Sequence, residues 1–347
     1  MKASADFASA AMMRLIQLGL KQQRLSVEKT ASADKSPASA RVALSNKQAV
    51  ASQLHQAFGT TALLRIGEAV HIAPDEPALV ALAMARDPLD LLTRWQRLER
   101  FVHSRHRVHT QAHTHTHTHT HTHTHTHTHT HTHTHTHTRV ASNHQVELQH
   151  RSLDASHAPS AAEDLLVLGL LVALLNRTGT QQLQARFVGD RRPRWQHGSW
   201  RDAKLPSDTS RWLLTWQPAA AFEPVPRSRL SNDEDKDETS TTWTASNLLA
   251  ADVGRAWTVA ALAKEMATSA RHLQRRLQAQ QTSFSALLCG ARLAQASKYL
   301  VGTQQSSAEI GYACGYADQA HFNREFKRHT ALTPAAYRTE FANRSPA

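Results

Sequence analysis

One pattern occurs twice in the last third of the chain, and it restricts the fold more than anything else in the sequence. Each copy is a capping residue, a short helix, a turn, a second cap, and a helix with one apolar and one basic side. In the later copy, SSAEIGYACGYADQAHFNREFKRHTALTPAAYR at 306–338, Ser306 and Glu309 have the spacing of a capping box, and Ile310, Ala313 and Cys314 give the short helix its apolar side. Gly315 supplies the turn. Asp318 caps a second helix whose buried stripe is Phe322 and Phe326, so Ala320, His321, Arg324 and Arg328 project the other way. Thr333 and Pro334 open a closing helix at cap and first-turn positions.

The earlier copy starts at Trp257 with WTVAALAKEMATSARHLQRRLQAQ. Thr258 caps the first helix, a turn falls near Ala267 and Thr268, and Ser269 caps the second, whose buried stripe is Leu273 and Leu277. Arg271 and Arg275 lie opposite, flanked by His272, Gln274 and Gln278, side chains able to read guanine and adenine edges. Between the copies, Phe284, Leu288, Leu293, Ala296 and Leu300 fall on one stripe of a connecting helix. Two helix-turn-helix units joined by a linker helix predict one compact all-α domain.

These residues carry a resemblance to the AraC/XylS family of bacterial transcription regulators. It covers about 248–340, through LAKEM, SARHLQRRL, the helix with Arg292 and Ala296, AEIGYACGYADQAHFNREFKR, and the closing TP with Tyr337 and Arg338. Gln281 and Ala331 stand where the family usually keeps a glycine after each recognition helix, which implies strained turns there. The resemblance implies promoter binding, recruitment of RNA polymerase and activation more often than repression. It assigns base contacts to Arg271, Gln274 and Arg275 on a helix at about 269–279, and to Gln319, Ala320, His321, Arg324 and Lys327 on a helix at about 319–329.

Length and charge agree with this reading. A chain of 347 residues suggests two domains, and its net charge of +12 suits a polyanionic partner. Over 248–347 Lys and Arg outnumber Asp and Glu about two to one, and that excess coincides with the two exposed helix faces. DNA is therefore favoured over a membrane surface. Cys289 and Cys314 are the only cysteines, which excludes a disulfide framework and a four-cysteine zinc site and suits a reducing cytoplasm. No export signal is expected, because Asp6 and Arg14 interrupt the first apolar run. LLVLGLLVALL at 165–175 is too short to span a bilayer and reads as a buried helix, with Ser160 and Glu163 as its capping box and Gly179 after its end.

The rest of the chain reads as an α+β regulatory domain over 1–217. Helical periodicity runs over 7–24, 46–58, 62–70 and 78–85, and then from Asp87 and Pro88 through Leu91, Leu92, Trp95, Leu98, Phe101 and Val102. PLDLLTRWQRLERFVHSRHR resembles the family's helix-rich regulatory type. Nothing before residue 113 alternates with period two, so a sugar-binding β-barrel is not indicated. Short alternating runs follow at Gln145–Leu148, Gln182–Val188 and Arg211–Trp216. Trp95, Trp195, Trp200, Trp212 and Trp216 are candidates for an effector pocket or for core. Arg94, Arg97 and Arg100 suit an anionic effector or a solvated helix face. Residues 218–246 read as a linker whose acidic cluster, Asp233–Glu238, is either solvated or docked on the basic reading face. The double helix-turn-helix domain then occupies 247–342.

An uninterrupted His-Thr repeat of 13 units, 113–138, interrupts the regulatory domain. Exposed imidazoles bind transition metals, but a perfect repeat forms no core, and no acid or cysteine beside it sets a metal geometry. It reads as a disordered insertion. Because CAC encodes His and ACA encodes Thr, a slippage-prone CA dinucleotide repeat would encode it. No catalytic constellation, cofactor site or metal site is assigned. The sequence therefore predicts a cytoplasmic, non-enzymatic, sequence-specific transcription regulator. Its expected partners are double-stranded promoter DNA, RNA polymerase, a small-molecule effector and a second copy of itself. The rival reading is a histidine-rich metal-binding or metal-responsive protein with an attached DNA-binding module.

Overall fold

The structure is a computed structural model that describes residues 6–25, 41–71, 76–111, 144–154, 157–177, 180–217, 239–280 and 282–342. Its N-terminal region combines sheets and helices. Strand β1 (Phe7–Ser9) pairs antiparallel with β2 (Arg41–Ala43), and Ser9 then caps helix α1 (Ala10–Gln22). The helical periodicities over 46–58 and 62–70 correspond to the two segments of α2 (Leu44–Ile66), which Gly59 divides with a non-helical backbone (φ +77°, ψ −174°), and a 3-10 turn, Gly67–His71, follows. Helices α3 (Pro77–Ala83) and α4 (Pro88–Val102) come next, and the Asp87 carboxylate accepts the Asp90 backbone N–H at 2.8 Å to cap α4.

Helix α4 ends sooner than its charged continuation suggests. The RHRV that follows is not helix but the start of strand β3 (His106–Gln111), which pairs antiparallel with β4 (His144–Ser152) from His106 opposite Ser152 to Gln111 opposite Glu147. Pairing along β4, which alternation there could not reveal in β3, turns a polar run into a strand. The His-Thr tract thus falls in the connection of a β-hairpin and itself lies outside the described residues. With β5 (Gln181–Phe187), β6 (Trp195–Gln196), β7 (Ser199–Trp200) and β8 (Arg211–Gln217), these strands form a six-stranded antiparallel sheet ordered β3-β4-β8-β5-β6-β7.

Helix α5 (Ala161–Arg177) is buried from Ala162 to Leu175 and packs against α2, as its continuous apolar run requires. The two backbones approach so closely that a Cβ on Gly169 would lie 2.2 Å from the Leu64 carbonyl oxygen. Gly179, expected after the end of α5, lies outside the described residues.

The C-terminal region is helical. Helix α6 (Thr239–Ala251) begins inside the stretch read as a linker and corrects its end: Thr241, Ala245 and Leu249 are buried, and α6 packs on the long helix described below. The acidic cluster 233–238 lies outside the described residues. Then come α7 (Val259–Glu265), α8 (Ala270–Ala279), α9 (Phe284–Gly302), α10 (Ser307–Ala313), α11 (Gln319–Thr330) and α12 (Pro334–Phe341). Each of α7 to α12 starts on a Ser, Thr or Asp cap. Phe322, Phe326, Tyr337 and Phe341 stack edge to face in series, with successive ring centroids 5.5, 5.1 and 4.9 Å apart. No helix among the described residues is long and apolar enough to cross a membrane.

Candidate nucleic-acid interface

Two helix pairs present the basic side chains. In the first, the Thr258 hydroxyl accepts the Ala261 N–H at 3.1 Å, Ala267 turns the chain with φ +50°, and the Ser269 hydroxyl accepts the His272 N–H at 3.2 Å. Leu273 and Leu277 anchor α8 at 0% and 1% exposure. That fixes its rotation, and Arg271, Gln274, Arg275, Arg276 and Gln278 are exposed. Arg275 and Arg271 lie almost opposite the buried stripe, while Gln274 stands at its flank.

The second pair repeats this with stronger caps. The Ser306 backbone N–H donates to the Glu309 carboxylate at 2.7 Å while the Ser306 hydroxyl accepts the Glu309 N–H at 3.2 Å, closing the capping box. Those bonds hold the Glu309 carboxyl below its ordinary range. Gly315 then makes the turn at φ +75°, where a Cβ would lie 2.7 Å from Arg292 Nη2 and 2.9 Å from the Val253 carbonyl oxygen, so only glycine fits without displacement. Asp318 accepts the His321 N–H at 2.6 Å, and Phe322 and Phe326, both fully buried, set the rotation of α11.

On α11, Gln319, Ala320, Arg324 and Lys327 are exposed and His321 is half-buried with its ring edge-on to Tyr316. Arg324 lies opposite the buried stripe, with Ala320 and Arg328 on either side of it. Gln319 stands on the stripe's side and is exposed only because it opens the helix. The positions that end α8 and α11 are not glycine. Ala331 takes the left-handed conformation, φ +66°, that glycine ordinarily fills, and Gln281 lies outside the described residues.

Three side chains meet beside this face without having stood out in the sequence. Cys289 Sγ of α9 lies 3.8 Å from Glu325 Oε2 and 3.6 Å from His329 Nε2 of α11, and those two atoms are 3.9 Å apart. Burial, with the Glu325 charge adding, pushes the Cys289 thiol up to about 11, and burial lowers His329. The Glu325 carboxylate also pairs with Arg328. The i, i+4 spacing of Glu325 and His329 was the one signal available in the sequence. Its partner lies on another helix.

The candidates in the N-terminal region divide differently. Trp195, Trp212 and Trp216 are core, and only Trp95 among the five lines a cavity of about 60 Å³ with Leu79, Leu82, Lys47, Glu99 and His103. Arg94 and Arg97 both bond to backbone carbonyls of the last helix. Arg94, 2% exposed, donates to the Ala81 and Phe341 carbonyl oxygens at 3.1 and 2.8 Å, and Arg97 donates to that of Glu340 at 2.7 Å. Arg100 is exposed.

Residues 262–340 match a family model described as a helix-turn-helix domain. The transcriptional regulator SirC of Salmonella typhimurium is 33% identical over 91 residues, which is 26% of this chain and 31% of that protein. The urease operon transcriptional activator of Escherichia coli is 30% identical over 112 residues, 32% of this chain and 36% of that protein. A crystal structure of a transcriptional regulator with an AraC-type DNA-binding domain from Chromobacterium violaceum aligns at 27% identity and TM-score 0.29, over 30% of this chain and 95% of that one. The chain spans about a third of the length of the curated relatives it matches.

Proposed function

We propose that the AraC-type helix-turn-helix domain at residues 262–340 makes this chain a sequence-specific DNA-binding transcription regulator, in which each helix pair is one helix-turn-helix unit. The observation that carries this is the matched pair of capped helices whose buried stripes, Leu273/Leu277 and Phe322/Phe326, turn Arg271, Arg275 and Arg324 outward. Arg271, Gln274 and Arg275 of α8 are the base-reading set of one unit, and Ala320, His321 and Arg324 of α11 that of the other, with Gln319 and Lys327 toward the backbone. The regulatory part, 1–217, takes an effector at the Trp95 cavity and dimerises. RNA polymerase is the partner in activation, as the names of activating relatives support. The site of action is the cytoplasm, and no chemistry is catalysed.

Arg275→Ala tests the reading. Specific affinity should fall by about 1 to 3 kcal/mol with base preference relaxed at one or two positions, while binding to random duplex changes little. An equal loss on both would make Arg275 a phosphate contact and remove the reading role from α8.

A further inference from the structure

We propose that Cys289, Glu325 and His329 form a binding site for a divalent transition-metal ion of the zinc type, one that staples the connecting helix α9 to the second reading helix α11. The geometry carries it. A tetrahedral ion with sulfur at about 2.3 Å and nitrogen and oxygen at about 2.0 to 2.2 Å separates its ligand atoms by about 3.3 to 3.6 Å. The three atoms here stand 3.6, 3.8 and 3.9 Å apart, so closing onto an ion requires shifts of a few tenths of an ångström. Thiolate, carboxylate and imidazole are also the donor types that borderline cations select. Among the described residues no other group of His, Cys, Asp and Glu has this arrangement.

The surroundings suit three protein ligands and an open fourth position. All three residues are half-buried, with Glu325 22% and His329 17% exposed at their side chains, so an ion can enter while part of its shell remains water. Burial keeps the imidazole neutral, leaving a ring nitrogen free to coordinate. On binding, the Cys289 thiol loses its proton to solvent and the resulting thiolate, carboxylate and imidazole donate to the ion, with no change of oxidation state. Glu325 leaves its ion pair with Arg328 in doing so. The freed guanidinium, on the exposed side of α11, becomes available to a DNA phosphate. The ion therefore both fixes α11 and adds a positive contact at its face.

Cobalt(II) added to the reduced full-length chain provides the test, because its thiolate-to-metal charge-transfer absorption reports sulfur ligation. The His-Thr tract also binds cobalt but supplies no sulfur. One equivalent should develop the band in a chain lacking 113–138, and saturating cobalt should develop it in the native chain and in Cys314→Ser. Cys289→Ser should abolish it, and Glu325→Gln and His329→Ala should weaken it at least tenfold, with circular dichroism showing each variant folded. Absence of the band at saturating cobalt, or its survival in Cys289→Ser, overturns the site. A second readout rests on the DNA-binding reading, as the first does not. Zinc should steepen the fall of log affinity with log salt by about 0.9, one phosphate's share, in the native chain but not in Arg328→Ala. An unchanged slope overturns the release of Arg328 while leaving the site.

Discussion

At the residue scale the account turns on which positions are set by backbone and which by chemistry. Ala331 closes α11 at φ +66°, a conformation that costs an L side chain about 1 to 2 kcal/mol and glycine almost nothing. Ala331→Gly should therefore raise stability by about 1 kcal/mol, less what glycine loses in unfolded-state entropy. Chemical denaturation checks this, and a lower midpoint would show that the Ala331 methyl packs well enough to outweigh the strain. The caps were readable because they are local: Ser306, Glu309 and Asp318 announce helix starts within four residues of the bonds they make. Arg94 was not. Its partners, the carbonyls of Ala81 and Phe341, lie on elements 13 and 247 residues away, and nothing in the α4 pattern separates an arginine bonded there from one in water.

At the element scale the buried polar groups under the sheet decide how stability responds to pH. Lys47 of α2 lies 3.3 Å from Glu163 of α5 and 3.3 Å from His103 Nε2, and His150 Nδ1 of β4 lies 2.8 Å from Asp164, which accepts the Thr209 hydroxyl at 2.6 Å. Burial, with Lys47 adding, lowers His103 to about 2, and burial likewise lowers His150. Burial raises Glu99 to about 8, against the bonds it accepts from the Val108 N–H and Trp95 Nε1. Between pH 4.5 and 6.5 the unfolded chain binds a proton at His103 that the fold refuses, while the fold keeps one at Glu99 that the unfolded chain loses, so these two offset. The lowered His150 adds to the His103 side, so stability falls on acidification. From 6.5 to 8 only Glu99 counts among these three, with the opposite sign, so stability falls again as pH rises. Urea midpoints across pH 5 to 8 should peak near 6.5, and Glu99→Gln should flatten the alkaline limb; a native midpoint that climbs steadily to pH 8 contradicts this. None of this network was legible in the sequence, for the same reason that β3 was not. RHRVHTQ is polar at most positions and becomes a strand by pairing with β4, and that pairing is what brings His106 and His150 together, with ring centroids 5.4 Å apart.

At the scale of the whole molecule, the N-terminal and C-terminal regions share a hydrogen-bonded seam. Arg94 and Arg97 of α4 hold the last carbonyls of α12, and the buried Tyr337 hydroxyl donates to the Pro77 carbonyl oxygen of α3 at 2.8 Å. Two parts joined this way should unfold together. Arg94→Ala deletes a buried cation bonded to both, so calorimetry should resolve its single transition into two; one unbroken transition would show the seam to be secondary. The seam also bears on the proposed DNA contact, because α12 packs on α9, the helix between α8 and α11. Helix α9 has 19 residues, about 28 Å at 1.5 Å per residue, and with its flanking turns it can set α8 and α11 one DNA turn apart, near 34 Å. One chain would then read two successive major-groove segments on one face of the duplex, with different bases in each. DNA captured by the native chain from its own genome supplies the site on which this is measured. Inserting five base pairs between the two contacted segments should abolish specific binding, since α11 would face the far side of the helix, and inserting a full turn should not restore the native affinity because α9 cannot lengthen. Undiminished binding to the five-base-pair insertion would mean that only one of the two units reads DNA.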